Sequence, residues 1–244
     1  MSAAKTLATA ERVLRQLRHD PRTIGLMMGV PCVLVIILRY VFDGERGLFN
    51  AVAPMILAIF PLLMMFLITS ITTLRERTTG TLDRLMTMPV SKLDFIFGYA
   101  LAFSIVGLVQ ACVVSAVALG FLGVTVLGGT LPILVVAVVS AFLGTTLGLF
   151  VSAFATSEFQ AVELVMPILM PQILTCGLFV ARDHMAKLLQ WLSDAFPLTY
   201  SVDAMRRVAS ETHWSGRLTR DLAVVVGFGA IALVLGAATI RRME

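Results

Sequence analysis

FIFGYALAFSIVGLVQACVVSAVALGFLGVTVLGGTLPILVVAVVSAFLGTTLGLFVSAFATS, residues 95–157, runs without a single Asp, Glu, Lys or Arg. About 20 apolar residues cross the roughly 30 Å hydrocarbon core of a bilayer. The stretch is therefore long enough for two crossings and a turn, and the glycine-rich segment 120–130 supplies the turn. Two further charge-free runs, 48–74 and 222–240, flank it. Only 14% of the 244 residues are charged, against about 25% in a soluble domain. These runs predict an all-α integral membrane protein.

Working outward, the predicted spans are Ile24–Val41, Leu48–Leu74, Phe95–Leu119, Leu131–Ala155, Phe159–Val180 and Leu222–Ile240. The second is about 40 Å long at 1.5 Å per residue, so it tilts or protrudes; Pro54 and Pro61 are placed to kink it. Gly144 and Gly148 form a small-xxx-small pair suited to close helix contact. Ahead of the spans, Leu7, Ala10, Leu14 and Leu17 recur at helical spacing, with Arg12, Arg15 and Arg18 on or beside the other face. Residues 1–22 are thus expected to form an interfacial amphipathic helix, with arginines toward anionic lipid. Asp20-Pro21 reads as an N-cap followed by Pro at N1, and Ser157 with Gln160 as a capping box. The first apolar run, behind this charged segment, is expected to be a retained span rather than a cleaved leader. Residues 23–244 make one membrane domain.

Six spans put both termini on one side. Lys and Arg accumulate in cytoplasmic loops, which places the N-terminal segment and the 75–94 loop in the cytoplasm. The 181–221 segment conflicts with that rule. It holds Arg182, Lys187, Arg206, Arg207, Arg217 and Arg220 on the other side, leaving eleven of the nineteen basic residues inside and eight outside. The net charge of +4 fits an anionic leaflet rather than nucleic acid, for no basic stripe interleaved with aromatics is present.

Catalytic signatures are missing. His19, His184 and His213 lie in separate segments, and the chain has no HExxH, GxSxG or GxxxxGK[ST] motif. Cys32, Cys112 and Cys176 each sit inside an apolar run and read as packing residues. Ion-coupled carriers place ionisable groups at membrane depth; here the candidates within a span are Glu158 and Glu163, near the interface. The deepest large polar groups are Gln110 and Gln172. They are candidates either for lining a substrate path, with Pro167 and Pro171 loosening the fifth span, or for bonding a neighbouring helix. Such a passage lacks its own energy source and needs an external motor.

The loop that would receive a motor's movement is 75–94, RERTTGTLDRLMTMPVSKLD. Gly80 fits a helix C-terminus, a short helix over 81–88 is ended by Pro89, and Ser91 with Asp94 matches a capping box. Leu82 and Leu85 share one face and suit docking into a protein groove.

Glu76-Arg77-Thr78-Thr79-Gly80-Thr81-Leu82-Asp83-Arg84-Leu85, followed by Met88-Pro89-Val90-Ser91, resembles the signature of ABC-2 type transporter permeases. Phe196–Tyr200 with Asp203–Arg206 resembles the family's segment before its last span. A looser likeness covers 148–178. Among relatives the chain looks most similar to daunorubicin-resistance-type drug exporters. The resemblance implies six transmembrane helices behind the interfacial helix, a cytoplasmic coupling helix in 75–94, and an extracellular re-entrant helical hairpin in 181–221. It implies that Glu76, Arg77, Gly80, Thr81, Leu82, Leu85 and Pro89 serve coupling to a separate ATPase subunit that binds ATP and Mg, this chain binding neither. It implies two permease copies, identical or related, in a cell membrane, with both termini cytoplasmic. The cargo would be hydrophobic or amphipathic, a drug or lipid-like molecule. Alternatives are a stand-alone channel or secondary carrier, and a membrane enzyme acting on lipid.

Overall fold

The computed structural model describes residues 3–79 and 92–241, and among these the regular structure is helical. The helices are α1 (Ala3–Arg18), α2 (Pro21–Val41), α3 (Arg46–Thr78), α4 (Lys92–Ala116), α5 (Thr130–Ser152), α6 (Glu158–Glu163), α7 (Val165–Thr175), α8 (Lys187–Ala195), α9 (Pro197–Ser210) and α10 (Gly216–Arg241). A π-turn, Val117–Phe121, extends α4, and a 3₁₀ turn, Arg182–His184, precedes α8. Among the described residues five helices are long and apolar enough to cross a membrane: α2, α3, α4 with its π-turn, α5 and α10.

Expected helix starts are present. Asp20 caps α2, its carboxylate accepting from the Thr23 backbone N–H and hydroxyl. Those bonds hold the Asp20 carboxyl below the ordinary carboxylate range. Ser157 accepts from the Gln160 N–H at the head of α6, while the Gln160 amide oxygen reaches the Thr156 N–H one residue short of a full capping box.

The fifth predicted span is not one long helix. It divides at Leu164 into α6 and α7. Pro167 has no N–H to offer the Glu163 carbonyl, so the helical ladder loses a rung there. At the other extreme, α3 outruns its prediction at both ends. Its 33 residues measure about 50 Å, carrying the chain past the apolar run into the charged residues 75–78.

The centre is the α3–α5 seam. A Cβ added to Gly144 would stand 2.1 Å from the Leu62 carbonyl oxygen, and one on Gly148 2.5 Å from that of Phe66. The two glycines therefore let the backbones meet. Around this seam Leu62 and Phe66 of α3 pack with Leu143 of α5, Leu169 of α7, Val202 of α9 and Val225 of α10. Toward one end, Ala53 and Leu57 pack with Ala111, Ile133, Met205 and Leu218. Toward the other, Ala10 and Val13 of α1 pack with Phe95, Tyr99, Phe103, Leu149 and Leu233. Helix α1 thus lies on protein along its Ala10–Val13 face, at the end of the bundle where Leu233 of α10 also packs.

Candidate functional site

Three consecutive charged residues close α3, and each reaches a different element. Successive positions on a helix point about 100° apart. Arg75 donates from Nε and Nη2 to the two carboxylate oxygens of Glu158 at the head of α6, 2.9 and 3.1 Å. Arg77 donates from Nη1 to the Ser152 carbonyl at the end of α5, where helix carbonyls lack intrahelical donors and the dipole favours a cation. Glu76, only 4% exposed, turns inward. Its oxygens accept from Arg12 Nη1 and Nη2 of α1 at 3.0 and 3.1 Å. Arg12 Nη2 also donates to the Tyr99 hydroxyl of α4 at 2.9 Å, with the guanidinium carbon 5.8 Å from that ring's centroid. The end of α3 is therefore fastened to α1, α4, α5 and α6.

This corrects one expectation. Arg12 does not face lipid headgroups with Arg15 and Arg18; it is turned into the bundle, because a buried carboxylate needs a cation with several donors. The sequence carried a signal for the clamp in its run of three charges directly after an apolar helix, which cannot share one solvated face. Of the candidate coupling residues, Glu76 and Arg77 are in this clamp, while Gly80, Thr81, Leu82, Leu85 and Pro89 lie outside the described residues.

The candidate path residues divide. Gln110 is fully buried on α4 and donates from Nε2 to the Met27 carbonyl of α2 at 3.1 Å. Pro31 lies four residues on and has no N–H, so the Met27 carbonyl lacks its helical partner. Gln110 replaces the missing donor and ties α2 to α4. Gln172 donates from Nε2 to Ile168 of its own helix at 2.8 Å. It sits on α7, with Pro171 half-buried beside it and Pro167 exposed, in the part of the bundle built by α3, α7 and α9. The amide oxygens of both glutamines are buried without a partner among the described residues.

The opposite end holds the 181–221 segment. Its charges pair chiefly with one another. Arg182 donates from Nη1 to Asp203 at 2.7 Å, and to Asp194. Asp221, fully buried, accepts from Arg207 and Arg220, each at 2.9 Å. Arg206 donates to the Gly177 carbonyl at 2.8 Å. Helix α9 is wedged against α3, α5 and α10, whereas α8 exposes Leu188, Leu189, Trp191 and Leu192. Buried Ser193, on the other face of α8, donates to the Thr175 carbonyl.

Among the described residues no group of three or more His, Cys, Asp or Glu could hold a metal ion. Arg12, Gln110 and Ser193 join separate elements, while Gln172, Ser140 and Thr145 bond back to their own helices. The chain is 28% identical over 58% of its length to "ABC transporter G family member 20" of Dictyostelium discoideum, covering 19% of that protein. It is 26% identical over 64% of its length to "Probable multidrug ABC transporter permease YbhR" of Escherichia coli K12, covering 43%. It is 29% identical over 70% of its length to "Inner membrane transport permease YhhJ" of the same organism, covering 47%. The chain thus spans less than half the length of these curated relatives. The profile of the ABC-2 type transporter family matches residues 5–209, most of the chain, and the chain belongs to that family.

Proposed function

We propose that this chain is the membrane-spanning permease of an ATP-binding-cassette exporter, which moves a hydrophobic or amphipathic molecule and draws its energy from a separate ATPase subunit holding ATP and Mg. The observation that carries this reading is the family match laid over a helical bundle whose α3 terminus is clamped at residues 75–77. Movement delivered to the segment after Thr79 enters a helix end already tied to four others. In this reading Gly80, Thr81, Leu82, Leu85 and Pro89 meet the ATPase. Glu76 and Arg77 act through the helices they hold.

The same reading gives six crossings, with α6 and α7 together forming the fifth, both termini cytoplasmic, and 181–221 an extracellular hairpin. The lipid-like exposure of α8 and the mutual pairing of the arginines support that side for a segment otherwise too basic for it. The exporter contains two copies, or one copy with a related permease, and the cargo passes between them.

A tagged chain purified in mild detergent should bring an ABC ATPase with it. Leu82→Asp should keep the chain in the membrane and lose the ATPase at least tenfold. Undiminished ATPase recovery and transport in that variant would refute the coupling assignment. The hairpin's side is tested separately with His213→Cys, an exposed position, in a cysteine-free background. An impermeant maleimide should label it in intact cells; labelling only after lysis would reverse the topology.

A further inference from the structure

At the end opposite the clamp, α2 and α3 form a short hairpin over a cavity of about 370 Å³. Arg39, Tyr40, Asp43, Arg46, Phe49 and Asn50 line it, closed from the side by the π-turn at Phe121 and the backbone of Gly123. Its chemistry is uneven. Arg39 is held in place, its guanidinium carbon 5.6 Å from the Phe49 ring centroid, and meets Asp43 only loosely at 3.7 Å. Arg46 has no ion pair among the described residues and opens α3, whose first turn has no side-chain cap. Asn50 uses its amide oxygen on the Thr125 N–H; its amide nitrogen has no acceptor among the described residues. Two guanidiniums and one amide donor thus face one carboxylate, a net positive, donor-rich cup.

Around the cup the surface is apolar. Tyr40, Val41, Leu48 and Phe121 are all more than half exposed, Phe121 at 86%. Helices α2 and α3 are both long and apolar enough to span, so their joining loop sits where hydrocarbon gives way to headgroups. Aromatic and aliphatic side chains at that level contact acyl chains and glycerol, and arginines bind phosphate through paired N–H donors.

We propose that this cup is a binding site for the phosphodiester headgroup of an anionic phospholipid. The phosphate is held by Arg39 and Arg46 with help from Asn50, and the acyl chains lie along Val41, Leu48 and Phe121. Two guanidiniums against the single Asp43 carboxylate leave the cup net positive, which favours net-anionic phosphatidylglycerol over zwitterionic phosphatidylcholine. The site rests on the chain's own surface and does not depend on an ATPase partner.

The test uses the purified full chain in detergent micelles with added phosphatidylglycerol or phosphatidylcholine, read by native mass spectrometry. Phosphatidylglycerol should be retained at least fivefold more than phosphatidylcholine. Arg46→Gln, on an exposed side chain outside the core, should abolish the preference, and Arg46→Lys should restore part of it. Added sn-glycerol 3-phosphate should not displace the lipid. Equal retention of the two lipids, or an Arg46→Gln variant that keeps the preference, would overturn the site. Displacement by glycerol phosphate at comparable concentration would assign the cup to a soluble anion and overturn the lipid assignment.

Discussion

The two ends of the bundle both bury charge, and they do so in opposite ways. At the α1 end the partners are far apart in sequence: Arg12 with Glu76, Arg12 with Tyr99, Arg75 with Glu158. At the α9 end they are near neighbours: Arg182 with Asp194 and Asp203, Arg207 and Arg220 with Asp221. The first pattern fastens separate helices into one rigid terminus. The second folds a local segment on itself and cancels its own charge. A count of basic residues treats the ends alike, whereas the pairing shows that the α9 end offers much less free positive charge than its composition suggests. The charges of the α1 end therefore tie α3 to several helices, whereas those of the α9 end tie the hairpin to itself and to α10 and leave apolar packing to join α9 to α3 and α5.

The sharpest way to break this contrast is Glu76→Gln. It leaves Arg12 half-buried without a counter-charge, and breaking a buried pair from one side costs about 3–5 kcal/mol. Thermal unfolding in detergent should drop, and amide exchange in α1 should accelerate by two orders of magnitude or more, while α9 stays protected. Replacing both partners, Arg12→Met with Glu76→Met, should recover most of the stability, since apolar substitutes for such pairs are often neutral. An α1 that exchanges no faster in Glu76→Gln would show that the Ala10–Val13 packing alone holds the helix.

Asp221→Asn is the matching lesion at the other end. It strips the charge from a fully buried acceptor serving two arginines, but Arg220 is 65% exposed and water can take it over, and Arg207 keeps Glu211 at 3.6 Å. The cost should be nearer 2 kcal/mol, confined to α9, the start of α10 and the 122–129 loop. That loop hydrogen-bonds to α9 through Gly128 N–H to the Val208 carbonyl. Faster exchange in α1 as well would mean that the ends are mechanically joined, and the contrast would fail.

Arg75 and Glu158 supply the smallest effect. Both are about half exposed, and exposed ion pairs contribute about 0–1 kcal/mol. Glu158→Gln should shift stability by less than 1 kcal/mol while loosening the head of α6. A loss as large as that of Glu76→Gln would place this pair in the clamp's structural core.

How far the sequence alone reached can be judged residue by residue. Asp20 and Ser157 announced their caps because capping is a contact within three residues. Gly144 and Gly148 announced a close crossing, though not that Leu62 and Phe66 would be the backbones met. Gln110 was visible as an oddity in an apolar helix. Its role became clear only once α2 was seen to bring a proline-orphaned carbonyl beside it. The break at Leu164 was foreshadowed by Pro167, but whether two prolines kink or divide a helix depends on what packs against the pieces.

By itself the sequence determined that the chain spans a membrane and where most spans lie, since charge in hydrocarbon costs several kcal/mol wherever it falls and so empties whole stretches of the chain. It also singled out residues 75–94, the segment proposed above to receive outside work. The tertiary structure alone decided that Arg12 turns inward, that residues 75, 76 and 77 each hold a different helix, and that Arg182, Arg207 and Arg220 pair within their own segment. The first two depend on which residues meet across 64 or 83 positions of chain and the third on how a segment folds back over 12 to 21, and a local pattern records that a charge needs a partner without naming it.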